Sequence, residues 1–358
     1  MRSSQFLTLC GIAALAAALA GCSSETGKTP AVKSGERAGS ADTPETAPAG
    51  KGSSGDRPKL AFISNNPFEF WTIARKGTEK AAQEFNADVE FRMPAQGTPA
   101  EQRQIIEDLL SKGVQGIAIS PNDAENQASF LNEVAEQVPL LTQDSDLPPG
   151  SKRLAYIGTN NYLAGKAAGQ LVKKALPKGG RVVIYVGKLD VQNAMERRQG
   201  VIDELAGKED AEGPDLGDFE LLDTMTDNSM QENCKANVED TLAKHGGEPE
   251  TLCLVGLWEY NPPAMLAAVK GAGLEGKVHI VGFDENEETL KGIKDGHIVG
   301  SIVQQPFEFG YRSIKILAGV ARGDKSVIPE GGIMYVDYQV ITKENVKEFW
   351  DKLRELKK

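Results

Sequence analysis

The stretch Lys59–Gly77, KLAFISNNPFEFWTIARKG, changes character at its middle. KLAFIS is a short apolar run of strand type, and it stops at Asn65, Asn66 and Pro67, residues that favour turns. From Glu69 onward the amide and charge content is that of a helix. The corner between them carries three aromatic side chains within four positions, Phe68, Phe70 and Trp71.

The same alternation runs outward from this segment to the end of the chain. Strand-like runs recur as DVEFRMP, GIAISP, PLLTQD, LAYIGT, RVVIYVG, FELLDTM, TLCLVGLW, HIVGFD, IVGSIVQ and MYVDYQVIT, and helical patterns separate nearly all of them. Such alternation predicts parallel sheets covered on both faces. These are too many strands for one comfortable open sheet, so the chain is expected to be an α/β protein of two doubly wound lobes.

In doubly wound sheets the ligand crevice lies outside the carboxyl ends of the strands. The residues at those ends are Asn66, Asp144, Asp227, Trp258, Asp284 and Gln304, to which Phe70, Trp71 and the Arg197 of NAMERRQG are added. Carboxylates, amides and a guanidinium can grip adjacent hydroxyls two at a time, while aromatic rings cover the CH faces of a sugar. The set therefore matches a neutral polyol. Each residue alone also has a plainer use, since Asp or Asn between strand and helix is a usual N-cap and a ring at a helix start is often core. Recurrence at strand ends in both halves is what favours the ligand.

The first twenty-one residues, MRSSQFLTLCGIAALAAALAG, carry one charge, Arg2, and an apolar run too short for a comfortable membrane span, which identifies a secretion signal. It ends in LAGC, Leu19–Cys22, which resembles the bacterial lipobox and implies cleavage before Cys22 with a lipid on its sulfur. Acyl chains bury methylenes at about 0.8 kcal/mol each, so such a cysteine tethers the protein to a membrane surface. Residues 22–58 are rich in Gly, Ser, Thr, Pro and Ala and are expected to form a disordered linker.

The full chain of 358 residues has 40% hydrophobic and 25% charged residues and a net charge of −11. Loss of the leader removes only Arg2 and leaves the chain more acidic, without the basic footprint of a nucleic-acid binder. Of four cysteines, Cys10 lies in the leader and Cys22 at the lipid site, so Cys234 and Cys253 remain outside the reducing cytoplasm and can, if near enough, form a disulfide.

Motifs for catalysis or cofactors are lacking. GAGLEGKV, Gly271–Val278, approaches a phosphate loop but has Val278 in place of the hydroxyl and precedes a strand instead of following one. His245, His279 and His297 have no metal-ligand spacing, and DENEE, Asp284–Glu288, reads mainly as favourable charge at a helix start. No metal and no cofactor is expected.

With these residues in view, Lys59–Thr342 resembles the periplasmic sugar-binding proteins of the ribose-binding type, the substrate-binding components of ABC importers. Their fold is shared with the effector domains of lac-repressor-like regulators. The resemblance is carried by SNNPFEFWTIARKG, VPLLTQDSD, YIGTNNYLAGKAAG, ERRQG, VGFDENEETLKGIKDG and GSIVQQP, in order. It implies two lobes joined by a three-stranded hinge, residues 59–158 with 305–337 and residues 159–304 with 338–342, and a helix in 343–358 packed outside. It also implies that Asn66, Phe70, Trp71 and Asp144 meet the sugar from the first lobe, and Arg197, Asp284 and Gln304 from the second.

The chain departs from the ribose pattern in three places. Two extra residues before the aromatic pair make Phe68 a rival of Phe70, Ser145 stands where an arginine would follow the aspartate, and Trp258 replaces an asparagine. These changes suggest a bulkier or less polar sugar face, with Ser145 and Asp227 kept as further candidates. The implied partners are a monosaccharide or polyol and a permease, and a monomer is expected. A regulator would need an N-terminal DNA-binding helix pair where this chain has a leader and linker. A carbohydrate-cleaving enzyme would need Asp144 and Asp284 to flank a bond with one carboxyl protonated. A sensor lipoprotein presenting a sugar or autoinducer to a membrane receptor would share every feature named here.

The lipobox reading makes a direct prediction. Cys22→Ser should leave the protein unprocessed or released, while Cys10→Ser should leave membrane attachment intact; attachment that survives in Cys22→Ser would refute it.

Overall fold

The computed structural model describes residues 57–357, so the leader, the Cys22 lipid site and nearly all of the linker lie outside the described residues. The first sheet draws on β1 (Lys59–Ile63), β2 (Asp88–Arg92), β3 (Ile117–Ile119), β4 (Leu140–Gln143) and β5 (Ala155–Gly158). Helices α1 (Glu69–Glu84), α2 (Pro99–Ser111) and α3 (Ala124–Ala135) connect the first four strands, and a loop joins β4 to β5. After α4 (Asn161–Ala175) the plan repeats with β6 (Gly180–Val186), α5 (Gln192–Ala206), β7 (Asp215–Leu216), β8 (Phe219–Thr226) and α6 (Gln231–His245). It continues through β9 (Leu252–Gly256), α7 (Asn261–Gly271), β10 (His279–Phe283), α8 (Glu287–Asp295) and β11 (Gly300–Val303), then α9 (Pro306–Ala321), β12 (Ile333–Tyr335), β13 (Gln339–Thr342) and α10 (Val346–Leu356).

The first sheet has the order β2-β1-β3-β4-β5-β12 and is parallel throughout; the second has the order β7-β8-β6-β9-β10-β11-β13, with only β7 and β13 antiparallel. The same winding is thus used twice. Order reverses beside β1 in one sheet and beside β6 in the other, which opens a crevice at the carboxyl ends of β1 and β3 and of β6 and β9. The run MYVDYQVIT is divided between the sheets, as β12 pairs with β5 and β13 with β11. The chain therefore passes from one lobe to the other between β5 and α4, between β11 and α9, and between β12 and β13. The short strand β7, which makes a hairpin with β8, has no counterpart among the expected strands.

Period-two alternation with both faces apolar builds the core. Leu60 and Phe62 of β1 pack beneath α1 and α9, while Ala61 and Ile63 pack beneath α2 and α3. In β6, Val183 and Tyr185 join the layer of α6 and α7, and Val182, Ile184 and Val186 join that of α4 and α5. Val346 and Leu353 dock α10 on the second lobe, in the layer of α6, α7 and α8. Among the described residues no helix is long and apolar enough to cross a membrane.

The two cysteines among the described residues, Cys234 and Cys253, are free and buried. Cys234 lies in the core on the α6 side of the second sheet and Cys253 in the core on the α4 and α5 side, so the sheet itself separates them. Burial pushes the Cys234 thiol up to about 12 and raises that of Cys253 as well, which suppresses reaction in the folded state. Without reductant, the folded protein should react negligibly with a thiol reagent and the unfolded, mature chain should react at both cysteines; no reaction after unfolding would mean a disulfide.

Candidate ligand cleft

Loops from the carboxyl ends of both sheets line one cavity of about 350 Å³. The first lobe contributes Asn65–Phe68 after β1, Gly97 after β2, Asn122 after β3 and Asp144 after β4. The second contributes Lys188 after β6, Asn228 after β8, Trp258–Tyr260 after β9, Asp284 after β10 and Gln304 after β11, with Asn193 and Arg197 from α5.

The opening corner is held by its own asparagines. The Asn65 carboxamide oxygen accepts from the Trp71 indole N–H (3.0 Å) and from Asn66 Nδ2 (2.7 Å), and Asn66 Oδ1 accepts the Phe68 N–H (2.9 Å) in an Asx turn. Phe70 and Trp71 meet edge to face at 4.9 Å and are only 9% and 2% exposed, so they anchor α1 in the core while also bordering the cavity. Phe68 behaves differently. Its ring reaches across to Tyr260 of the second lobe, 6.1 Å away and edge-on.

Asp144 and Asp284 follow β4 and β10, the corresponding strands of the two lobes, and both have a φ of 62°. Each donates its N–H to an isoleucine carbonyl of the next strand, Ile157 (3.1 Å) or Ile302 (2.9 Å). Each accepts a hydroxyl from that strand on its own carbonyl, Tyr156 at 2.9 Å or Ser301 at 2.8 Å. A left-handed turn of this kind suits Asp better than most residues but still carries strain, and such strain collects at functional sites. Ser120 Oγ donates to Asp144 (3.0 Å) and Gln304 Nε2 to Asp284 (3.1 Å).

Arg197, 2% exposed, supplies the buried positive charge. Its Nε donates to Asn161 (2.9 Å), its Nη1 to the Leu257 carbonyl (2.9 Å), and its plane lies over the Phe283 ring at 4.6 Å. Gly165 and Gly200 let α4 and α5 approach closely enough to seat it, since a Cβ on Gly165 would lie 2.2 Å from the Arg197 carbonyl and one on Gly200 2.1 Å from that of Tyr162. Burial pushes Asp144 up to about 6 against the opposing pull of Arg197 and the Ser120 hydroxyl, and the charge of Asp284 adds to the rise. Burial also raises Asp284, again against Arg197.

Five buried polar atoms on this wall have no hydrogen-bond partner among the described residues: Asn122 Nδ2, Asn193 Oδ1, Arg197 Nη2, Trp258 Nε1 and Gln304 Oε1. Buried polar groups are ordinarily paired, and leaving one unpaired costs about 1–3 kcal/mol. Their concentration here, with a donor from the first lobe and both donors and acceptors from the second, suits a ligand that both gives and takes hydrogen bonds.

Of the residues expected to meet a ligand, Asn66, Phe70, Trp71, Asp144, Arg197, Trp258, Asp284 and Gln304 line the cavity, whereas Ser145 and Asp227 do not. Ser145 is folded back by a bond from its N–H to the Gln143 carbonyl (2.7 Å). Asp227 lies behind the wall and accepts from Tyr260 and Asn261. Sequence reasoning missed Asn122, Asn193 and Tyr260. Asn193 precedes Arg197 by one helical turn, a spacing that puts both on one face and could have found it. Asn122 depends on buried Gln102, whose Oε1 accepts the Asn122 N–H (3.1 Å) while its Nε2 ties the ends of β1 and β3 through the Ser64 (2.9 Å) and Ser120 (2.7 Å) carbonyls.

The periplasmic binding protein domain family matches residues 61–325. The ribose import binding protein of Salmonella typhimurium is 25% identical over 266 residues, 73% of this chain and 83% of that protein. The D-allose-binding periplasmic protein of Escherichia coli is 26% identical over 282 residues, 74% of this chain and 84% of that one. Among solved structures, an ABC transporter solute-binding protein from Burkholderia graminis in complex with D-arabinose is 30% identical, with a TM-score of 0.73 over 80% of this chain and 96% of that chain. XylFII in its complex with LytSN is 26% identical, with a TM-score of 0.70 over 81% and 99%.

The buried carboxylate has a testable consequence for stability. With its pKa at about 6 in the folded protein and near 3.8 otherwise, Asp144 holds a proton that the unfolded chain releases. The stability this provides is complete below pH 4 and is lost as pH rises through 6. Unliganded Asp144→Asn should therefore match wild type near pH 4 and exceed it above pH 7 by up to about 3 kcal/mol in denaturant melts. A variant no more stable than wild type at high pH would contradict this account.

Proposed function

This chain belongs to the periplasmic binding proteins, and from that premise we propose that it binds a monosaccharide or similar small polyol in the cleft between its lobes and delivers it to an ABC importer. The observation that carries the reading is the set of five unpaired polar atoms on a wall shared by two buried carboxylates and a guanidinium. A sugar hydroxyl donates one hydrogen bond and accepts others, so adjacent hydroxyls can satisfy Asp144 and Asp284 as donors and Arg197, Trp258 and Asn122 as acceptors. A cavity of about 350 Å³ lies at the small end of the range for ligand sites and suits a single sugar ring. Asn66, Phe70 and Trp71 supply the first-lobe wall, Trp258 adds a ring face with its own donor, and Gln304 and Asn193 add acceptors.

As a binding protein of an extracytoplasmic family it catalyses no reaction. Cys22 provides the anchor, the linker through residue 58 gives the folded part reach above the membrane, and the protein works as a monomer against a permease. A second reading is supported by the complex of XylFII with LytSN, in which a similar protein is bound to another protein. On that reading the sugar-loaded lobes are presented to a membrane receptor.

Pentoses, hexoses, deoxysugars and inositols tested by thermal shift should include at least one that raises the midpoint, because a ligand bound only to the folded state stabilises it by RT ln(1 + [L]/Kd). Silence across the whole panel would overturn the proposal. Since contacts come from both lobes, the shut form is stabilised only through both. Asp144→Ala and Asp284→Ala should each abolish the sugar-induced compaction measured by small-angle scattering at a concentration that saturates wild type.

A further inference from the structure

Asp227 is 1% exposed and anchored at the carboxyl end of β8 in the second lobe, where its N–H donates to the Val186 carbonyl (3.2 Å) and its own carbonyl accepts from Asn233 Nδ2 (3.1 Å). Its two carboxylate oxygens serve different partners. Oδ1 accepts the Tyr260 hydroxyl, and Oδ2 accepts Nδ2 of the fully buried Asn261 (3.1 Å). Asn261 Oδ1 in turn accepts the backbone N–H of Trp258 (2.9 Å). The wall segment Trp258–Tyr260 is thus tied at both ends to one carboxylate. The two rings of that segment meet edge to face at 6.3 Å, and Tyr260 carries the contact to Phe68 of the opposite lobe.

We propose that Asp227 is a positioning residue of the cleft, which acts through Tyr260 and Asn261 to hold the Trp258 indole and the Phe68 contact in place without touching the ligand. The inference rests on the sugar-binding reading above. Without the carboxylate, the Tyr260 hydroxyl and the Asn261 amide lose a buried acceptor, so Trp258–Tyr260 loses its direct fastening at Tyr260 and, at Trp258, the support that holds the Asn261 side chain.

The chain has three tryptophans, Trp71, Trp258 and Trp350, so 5-fluorotryptophan labelling gives three fluorine resonances, and Trp258→Phe assigns the one that matters. In the unliganded protein, Asp227→Ala should shift or broaden the Trp258 resonance and leave that of Trp350 unmoved. Its affinity for D-ribose, D-allose or D-arabinose, whichever binds wild type best, should fall about tenfold to a hundredfold. Asp227→Asn, which keeps an acceptor, should recover most of that affinity, and Tyr260→Phe should move the same resonance with a loss that does not add to that of Asp227→Ala. If Asp227→Ala does not fold, Asp227→Asn and Tyr260→Phe carry the test through the same resonance. An affinity loss with the Trp258 resonance unmoved would place Asp227 in direct contact with the sugar and overturn the proposal. Failure of every probe to bind wild type would sink the sugar-binding reading and leave the Trp258 response to decide this one.

Discussion

The guanidinium of Arg197 lies buried beside two buried carboxylates, Asp144 from one lobe and Asp284 from the other, and its position governs what the cleft can hold. One positive charge cannot fully offset two negative ones out of water, so burial wins and both carboxyl groups are raised despite their neighbour. The arrangement is costly unless donors arrive from elsewhere, and hydroxyl groups are suitable donors that bring no charge of their own. Arg197 is held by Asn161, Leu257 and Phe283, which belong to three different segments of the second lobe, and a pair of glycines allows its helix to sit close enough. The site's electrostatics thus depend on how helices α4 and α5 pack.

Duplication explains why two aspartates converge. Both lobes wind in the same order, and in both the strand next to the last of the repeated unit ends in an aspartate turned left-handed and pinned by the following strand. The two sheets place equivalent backbone turns at equivalent carboxyl ends, and the cleft is where those ends meet. Side chains around the turns then differ: Ser120 supports one carboxylate and Gln304 the other.

Few direct bonds cross the cleft. Phe68 meets Tyr260, the Asp146 N–H donates to Gln192 (3.3 Å), and Lys357, beyond the end of a helix docked on the second lobe, pairs with Glu69 at the start of α1 (2.6 Å). Glu69 is largely exposed and Lys357 partly so, and pairs of that kind contribute little. A lightly fastened cleft flanked by three chain crossings is what hinge closure around a ligand requires, because the ligand must supply the difference between the two forms.

Much of this was legible in the residue order. Alternating apolar runs and helical segments specify a doubly wound α/β protein because a parallel strand buried on both faces must be apolar throughout, as KLAFIS and RVVIYVG are. Strand-end position alone marked Asp144, Asp284, Trp258 and Gln304 as wall residues, since the crevice of such sheets has a known end. The same logic put forward Asp227, and the ribose pattern put forward Ser145, yet neither lines the cavity, because position along the chain says where a backbone stops and not which way a side chain turns; a buried tyrosine and asparagine claim one, and a tight backbone turn folds back the other. It also passed over Asn122, whose place depends on Gln102 reaching between strands, and it left the two cysteines undecided because which face of a sheet each occupies is settled by register. Local chemistry and period are written along the chain, whereas the pairing of distant buried polar groups exists only once the lobes have packed.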